Sequence, residues 1–181
     1  MKKLMIMAMM MVVSSTAFAG DTPALKAILK AKSYDEAQAL VKSSLGELAN
    51  DAEKAKAYNK LVDLALDDFN KQSTIVTENQ LAKQMGKEEK PVDEAAMSTA
   101  AYNAIMDAIE CDKYDQLPNE KGKVAPKFAK ANAQRLWMGP RNQLVNAGQD
   151  ALTNKDQANA RKYWQAFVES DAASLFKECD R

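Results

Sequence analysis

Histidine is missing from this 181-residue chain, which removes the commonest general base and the commonest metal ligand together. Two cysteines are too few for a disulfide-stapled scaffold, and six glycines with five prolines exclude collagen-like and low-complexity chains. An excess of one charge is lacking too, because 25 basic residues face 25 acidic ones. A chain so balanced has no broad positive field to hold nucleic acid, so nucleic acid is not an expected partner. There is no glycine-rich phosphate loop, no paired-cysteine metal spacing and no Gly-x-Ser-x-Gly elbow. No enzyme activity, cofactor or metal is therefore expected. Acid–base hydrolysis can work with two carboxylates, and Asp107 with Glu110 or Asp67 with Asp68 are the adjacent pairs; on amphipathic helices such pairs are more often surface charges. What is present, 46% hydrophobic and 28% charged residues at one-domain length, is ordinary globular chemistry.

The longest apolar run, Leu4 to Val13, follows Lys2 and Lys3 and precedes Ala17-Phe18-Ala19. A positive start, a short apolar stretch and a small-x-small site describe a secretory signal over residues 1–19, cleaved after Ala19. The run is about half as long as a helix needs to cross a bilayer, so no transmembrane segment is expected in the mature chain. No cysteine follows the cleavage site, so a lipoprotein is not expected either, and the location is the periplasm or the exterior. Removal of the signal leaves 23 basic against 25 acidic residues. Cys111 and Cys179 both travel in the exported part, where they either pair or remain two separate thiols.

Residues 20–181 read as one all-α domain, with 3.6-residue periodicity and no strand alternation. Thr22-Pro23 reads as an N-cap with N1 proline, opening a helix to about Lys32. Ser33 with Glu36, and Asn50 with Glu53, have capping-box spacing. The helix after Asn50 carries a stripe of Tyr58, Leu61, Val62, Ala65 and Phe69. Thr77 and Gln80 are expected to cap a separate short helix ending near Gly86. Pro91 then opens a helix with a mostly small-residue face from Met97 to Ile109. The break from Tyr114 to Pro126 is too long for a tight turn. Gly139-Pro140 either separates two helices or kinks one. Asp156 caps the last helix, with Trp164, Phe167 and Val168 on its expected buried side.

Residues 31–41 and 154–164 have one form, a tight turn leading into a helix. Around the second, Leu144, Ala147, Gly148 and Ala151 are spaced as a first helix, and Ala160 and Trp164 as its partner. These positions resemble the tetratricopeptide repeat family, a helix–turn–helix unit of 34 residues. Tyr34 and Ala37 match in the earlier copy, where Leu25 replaces the small residue. Asp171-Ala172 stands where the family usually has Asp-Pro. The segment from Cys111 to Pro118 and the Leu136-Trp137 region also resemble exported repeat proteins of Gram-negative bacteria. The resemblance covers about half of the mature chain. It implies antiparallel helix pairs stacked as a right-handed superhelix whose concave groove binds a partner, and implies no reaction.

In such a stack Asn142, Val145, Asn146 and Gln149 would face the groove, where amides bond the backbone of an extended peptide; the alternative is that they are simply solvated. Arg141 is the nearby basic residue for a terminal carboxylate. The partner expected is a protein, a peptide or a surface polymer. The reading kept beside it is a periplasmic small-ligand carrier walled by Trp137, Trp164, Tyr102 and Tyr163. Charge is uneven: Lys121, Lys123, Lys127, Lys130, Arg135 and Arg141 follow seven acids between Asp93 and Glu120 that are offset by Lys113 alone. These segments either steer an acidic partner or compensate one another. Beyond the last repeat, Leu175 and Phe176 look like the start of another helix: they form a brief cap, or the chain is part of a longer protein, or the open face pairs with a second copy.

Overall fold

The computed structural model describes residues 20–119 and 121–177, so the signal expected over 1–19 and the Cys111–Cys179 pairing, through Cys179, lie outside the described residues. The fold is all-α. Among the described residues there are seven helices and no strand: α1 Pro23–Lys30, α2 Tyr34–Ser44, α3 Asp51–Gln84, α4 Glu94–Asp115, α5 Ala129–Leu136, α6 Gly139–Thr153 and α7 Gln157–Ala172. Two 3-10 turns, Leu45–Glu47 and Ser174–Phe176, complete them.

Local chemistry sets most of the helix starts. Side-chain oxygens of Thr22, Ser33, Asn50 and Asp156 each accept an amide N–H three residues on, from Leu25, Glu36, Glu53 and Asn159. Each such cap contributes about 1 kcal/mol. Glu53 does more than reach back along its own helix. Its carboxylate accepts the Thr22 amide at 2.8 Å, the Thr22 hydroxyl at 2.8 Å and the Ala49 amide at 2.9 Å, tying the start of α1 to the start of α3. The helix expected to open at Pro91 begins three residues later, where Asp93 caps the Ala96 amide at 2.9 Å.

The separate helix expected at Thr77 does not exist; α3 runs unbroken for 34 residues. The Thr77 hydroxyl donates to the Ser73 carbonyl one turn back instead of capping a new start. Asn79 exchanges two hydrogen bonds with the backbone of Lys90, at 2.7 and 2.8 Å, which folds the following segment back along the helix. A second partner therefore replaces the missing apolar stripe.

α3 and α4 lie antiparallel. The Asp93 amide donates to Gln72, and at the far end the Cys111 thiol donates to the Ala55 carbonyl at 3.3 Å. The buried face of α4 is Met97, Ala100, Ala101, Ala104, Ile105 and Ala108, whose small side chains permit close approach. α4 also touches α5, α6, α7 and the last 3-10 turn, so it is the central rod of the fold.

One expectation about the C-terminal third needs correction, and one alternative left open there is resolved. Val168 is 64% exposed, and Trp164 and Phe167 are half-buried; the buried face of α7 is Ala160, Tyr163, Ala166 and Ser170. Small residues win that face because α7 packs close to α4 and α6. Leu175 and Phe176 are covered, 7% and 1% exposed, so the end of the described chain is a brief cap over the core.

Candidate functional site

α6 and α7 form a helical hairpin whose closeness depends on one missing side chain. Gly139 and Pro140 occupy the first turn of α6 and separate it from α5. At Gly148 a Cβ would stand 2.2 Å from Trp164 Nε1 and 2.4 Å from its Cδ1, so the indole lies directly on the glycine backbone. The same Nε1–H donates to the Val145 carbonyl at 3.3 Å. The small-residue position read from the repeat pattern is where the two helices meet.

With that face turned inward, the opposite face of α6 is set. Met138, Val145 and Leu152 are 65%, 40% and 45% exposed, and Asn142, Asn146 and Gln149 are exposed with them. Positions 138, 142, 145, 149 and 152 alternate steps of four and three, the spacing of a coiled-coil seam, with apolar residues at one register position and amides at the other. Trp164 borders this face through its bond to Val145, and exposed Val168 follows it by one turn of α7. The expected amides therefore come together. Val145 was expected there with them; Met138 and Leu152, seven residues to either side of it, were missed.

Arg141 is elsewhere. Far from clamping a terminal carboxylate at the surface, it is 4% exposed. Its guanidinium lies 4.2 Å from the Trp137 ring centroid, 4.7 Å from Phe167 and 5.3 Å from Phe176. Nε donates to Ser170 Oγ at 2.8 Å and Nη2 to Asp171 Oδ1 at 3.1 Å. This cation holds α5, α6, α7 and the C-terminal turn together.

The aromatics read as walls of one cavity are distributed instead. Trp137 packs on Phe176 with centroids 5.9 Å apart, and Tyr102 meets Tyr163 edge-on at 6.3 Å. Trp164 covers Gly148. They are wedges between helices and do not converge.

In each acid pair at least one member is engaged in another bond. Asp107 accepts the Tyr34 hydroxyl at 2.8 Å, and burial pushes its carboxyl up to about 7, against the pull of that hydrogen bond. Burial, and then the Asp107 charge, drives the Tyr34 hydroxyl above its usual range. Glu110 pairs with Lys113, and Asp68 with Lys71 at 2.7 Å. Cys111 is buried, and burial pushes its thiol up to about 12. Of the basic segment, Arg135 pairs with Asp63 at 2.8 Å and Arg141 is internal, whereas Lys121, Lys123, Lys127 and Lys130 are exposed. Among the described residues no cluster of His, Cys, Asp or Glu has a metal-binding arrangement, and no helix is long and apolar enough to cross a membrane.

Compared with known proteins, the chain matches no family, no curated protein and no solved structure.

Proposed function

We propose that this is an exported, non-catalytic helical scaffold that binds another protein or a surface polymer on the outer face of the α6–α7 hairpin. The observation that carries the reading is the exposed seam of Met138, Asn142, Val145, Gln149 and Leu152, bordered by Val168. Exposed apolar residues aligned along a helix at this spacing are a recurrent docking surface for a second helix or an extended chain. Amides between them set register, because an amide buried without a partner costs about 1–3 kcal/mol. In support of a non-catalytic role, three of the four carboxylates in the candidate acid–base pairs, Asp107, Glu110 and Asp68, are held by Tyr34, Lys113 and Lys71.

The tetratricopeptide-like superhelix belongs to the same proposal. Its support is the C-terminal hairpin, with Gly148 at the close approach and Asp156 capping the second helix. The central position of α4, touching α3, α5, α6 and α7, departs from a stack in which each pair meets only its neighbours. Export rests on residues 1–19, and N-terminal sequencing of the mature protein should begin at Gly20.

Site-specific photocrosslinking in the exporting cell tests the surface. A photoreactive residue at 142, 145 or 149 should trap one and the same species, and the same residue at exposed Lys83 should not. Val145→Glu with Asn146→Ala should abolish trapping while leaving the circular dichroism unchanged. Equal trapping from Lys83, or undiminished trapping in the double variant, would refute the assignment.

A further inference from the structure

A second site lies at the opposite end of the α3–α4 pair, beneath the segment joining α4 to α5. The connection from α4 to α5 is longer than the usual one between helices, and its described residues, 116–119 and 121–128, make bonds of their own. Asn119 Oδ1 accepts the Lys121 and Lys123 amides at 2.9 and 3.1 Å, and the Asn119 amide returns to the Lys123 carbonyl at 3.0 Å. Gly122 turns the chain at φ +71, a conformation that side chains disfavour. At the far end the Asp115 carboxylate accepts the amides of Lys127, Phe128 and Ala129 at 2.7–3.3 Å.

This bonded loop roofs a cleft of about 360 Å³ against the first turns of α3 and the end of α4. Its charge is unequal once the existing bonds are counted. Asp51 is paired with Lys54 at 2.9 Å and Lys56 with Asp21 at 2.5 Å, which leaves the Asp115 carboxylate, held by neutral backbone amides, as the one remaining negative charge among the described lining residues. Lys123 and Lys127, also in the lining, take part in none of the ion pairs among the described residues. Tyr114, Leu117 and Phe128 supply ring and hydrocarbon, and Asn50 and Asn119 add two amides that already serve the backbone. The Tyr114 ring is fixed by stacking on Tyr58, centroids 5.7 Å apart.

We propose that this cleft binds a small organic oxyanion, with its phosphate or carboxylate group between Lys123 and Lys127 and its ring or short acyl body against Tyr114, Leu117 and Phe128. The cationic lining contains lysine and no arginine, so the oxyanion would be held by two point charges and not by a bidentate fork. The volume matches a ligand of modest size. No residue is shared with the α6–α7 face, so the two sites stand or fall separately.

The test is a titration of the full mature chain, followed by amide resonances, with phenyl phosphate, benzoate and neutral benzyl alcohol as separate probes. Phenyl phosphate or benzoate should give saturable shifts at Leu117, Lys123 and Phe128, and the stronger of the two identifies the head group. Affinity should fall at least fivefold in Lys123→Met/Lys127→Met and remain unchanged in Lys83→Met. Raising the salt on wild-type protein provides a measure that needs no variant, and should weaken binding too. Benzyl alcohol binding as well as either anion, shifts that never saturate, or affinity indifferent to both salt and the lysine pair would each overturn the proposal.

Discussion

Gly148→Ala offers the sharpest test of how the C-terminal hairpin is held. The added methyl would begin 2.2 Å from Trp164 Nε1, 2.4 Å from Cδ1 and 2.7 Å from Cε2. Ordinary carbon contacts lie near 3.5–4.0 Å, so the indole must retreat by more than about 1 Å. Retreat breaks its hydrogen bond to the Val145 carbonyl, which contributes about 1 kcal/mol, and overpacking adds about 1–3 kcal/mol. Opposing this, alanine is favoured over glycine inside a helix by about 1 kcal/mol. The net expectation is a loss of about 1–3 kcal/mol, or roughly 3–9 °C in Tm for a domain of this size. Urea unfolding followed by tryptophan fluorescence measures it. A double-mutant cycle isolates the cause: in a Trp164→Ala background the clash is gone, so Gly148→Ala should be neutral or stabilising. An alanine that costs nothing in wild-type protein, or costs the same in both backgrounds, would refute the close-approach argument.

Asp107 predicts a pH dependence of definite sign. Its carboxyl is raised by burial from 3.8 to about 7, so the unfolded chain releases its proton first as pH rises. The contribution is complete below about pH 4 and is lost on the way up to about pH 7; Asp107→Asn should flatten this part of the urea-midpoint profile and raise the midpoint at pH 8. Tyr34→Phe removes the hydrogen bond that holds the carboxyl down, and nuclear magnetic resonance titration should find Asp107 raised further. Arg141→Met should cost more than about 2 kcal/mol by denaturation, since Ser170, three aromatic rings and a half-solvated carboxylate all lose their cation. Arg141→Lys should recover only a fraction of it, lacking the planar fork. In reduced protein Cys111 should resist thiol reagents until denaturant is added, because its thiol is held up to about 12 and is buried; mass mapping of early label at Cys111 would contradict this.

What the sequence disclosed, and what it hid, follows from the range of the interactions. The caps at Thr22, Ser33, Asn50 and Asp156 are satisfied within three residues, so four letters suffice to see them. Gly148 is legible for a related reason, since only a missing Cβ permits its contact with a residue sixteen positions on. The unbroken length of α3 is not, because its last turns have no apolar stripe and are held from outside by Lys90. Arg141 reads as a surface clamp because its aromatic partners arrive from α5, α7 and the C-terminal turn, which local spacing cannot bring together. The face of α7 was assigned to its large residues, when the narrow gap to α4 and α6 selects Ala160, Ala166 and Ser170. At the candidate surface the amides were legible, and the apolar members Met138 and Leu152 appear only once the buried side of α6 is known.

The length of α3 has a mechanical consequence. At about 1.5 Å per residue it is a strut of roughly 50 Å, and beyond Gln72 it overhangs the start of α4 with only a returning strap beside it. Its final turns can fray while the packed centre stays intact, so deuterium should enter there first and a protease should nick between Gly86 and Glu89 without dismantling the remainder. Motion at that tip would be decoupled from the cleft at the other end of the pair, leaving that end rigid while the tip is compliant.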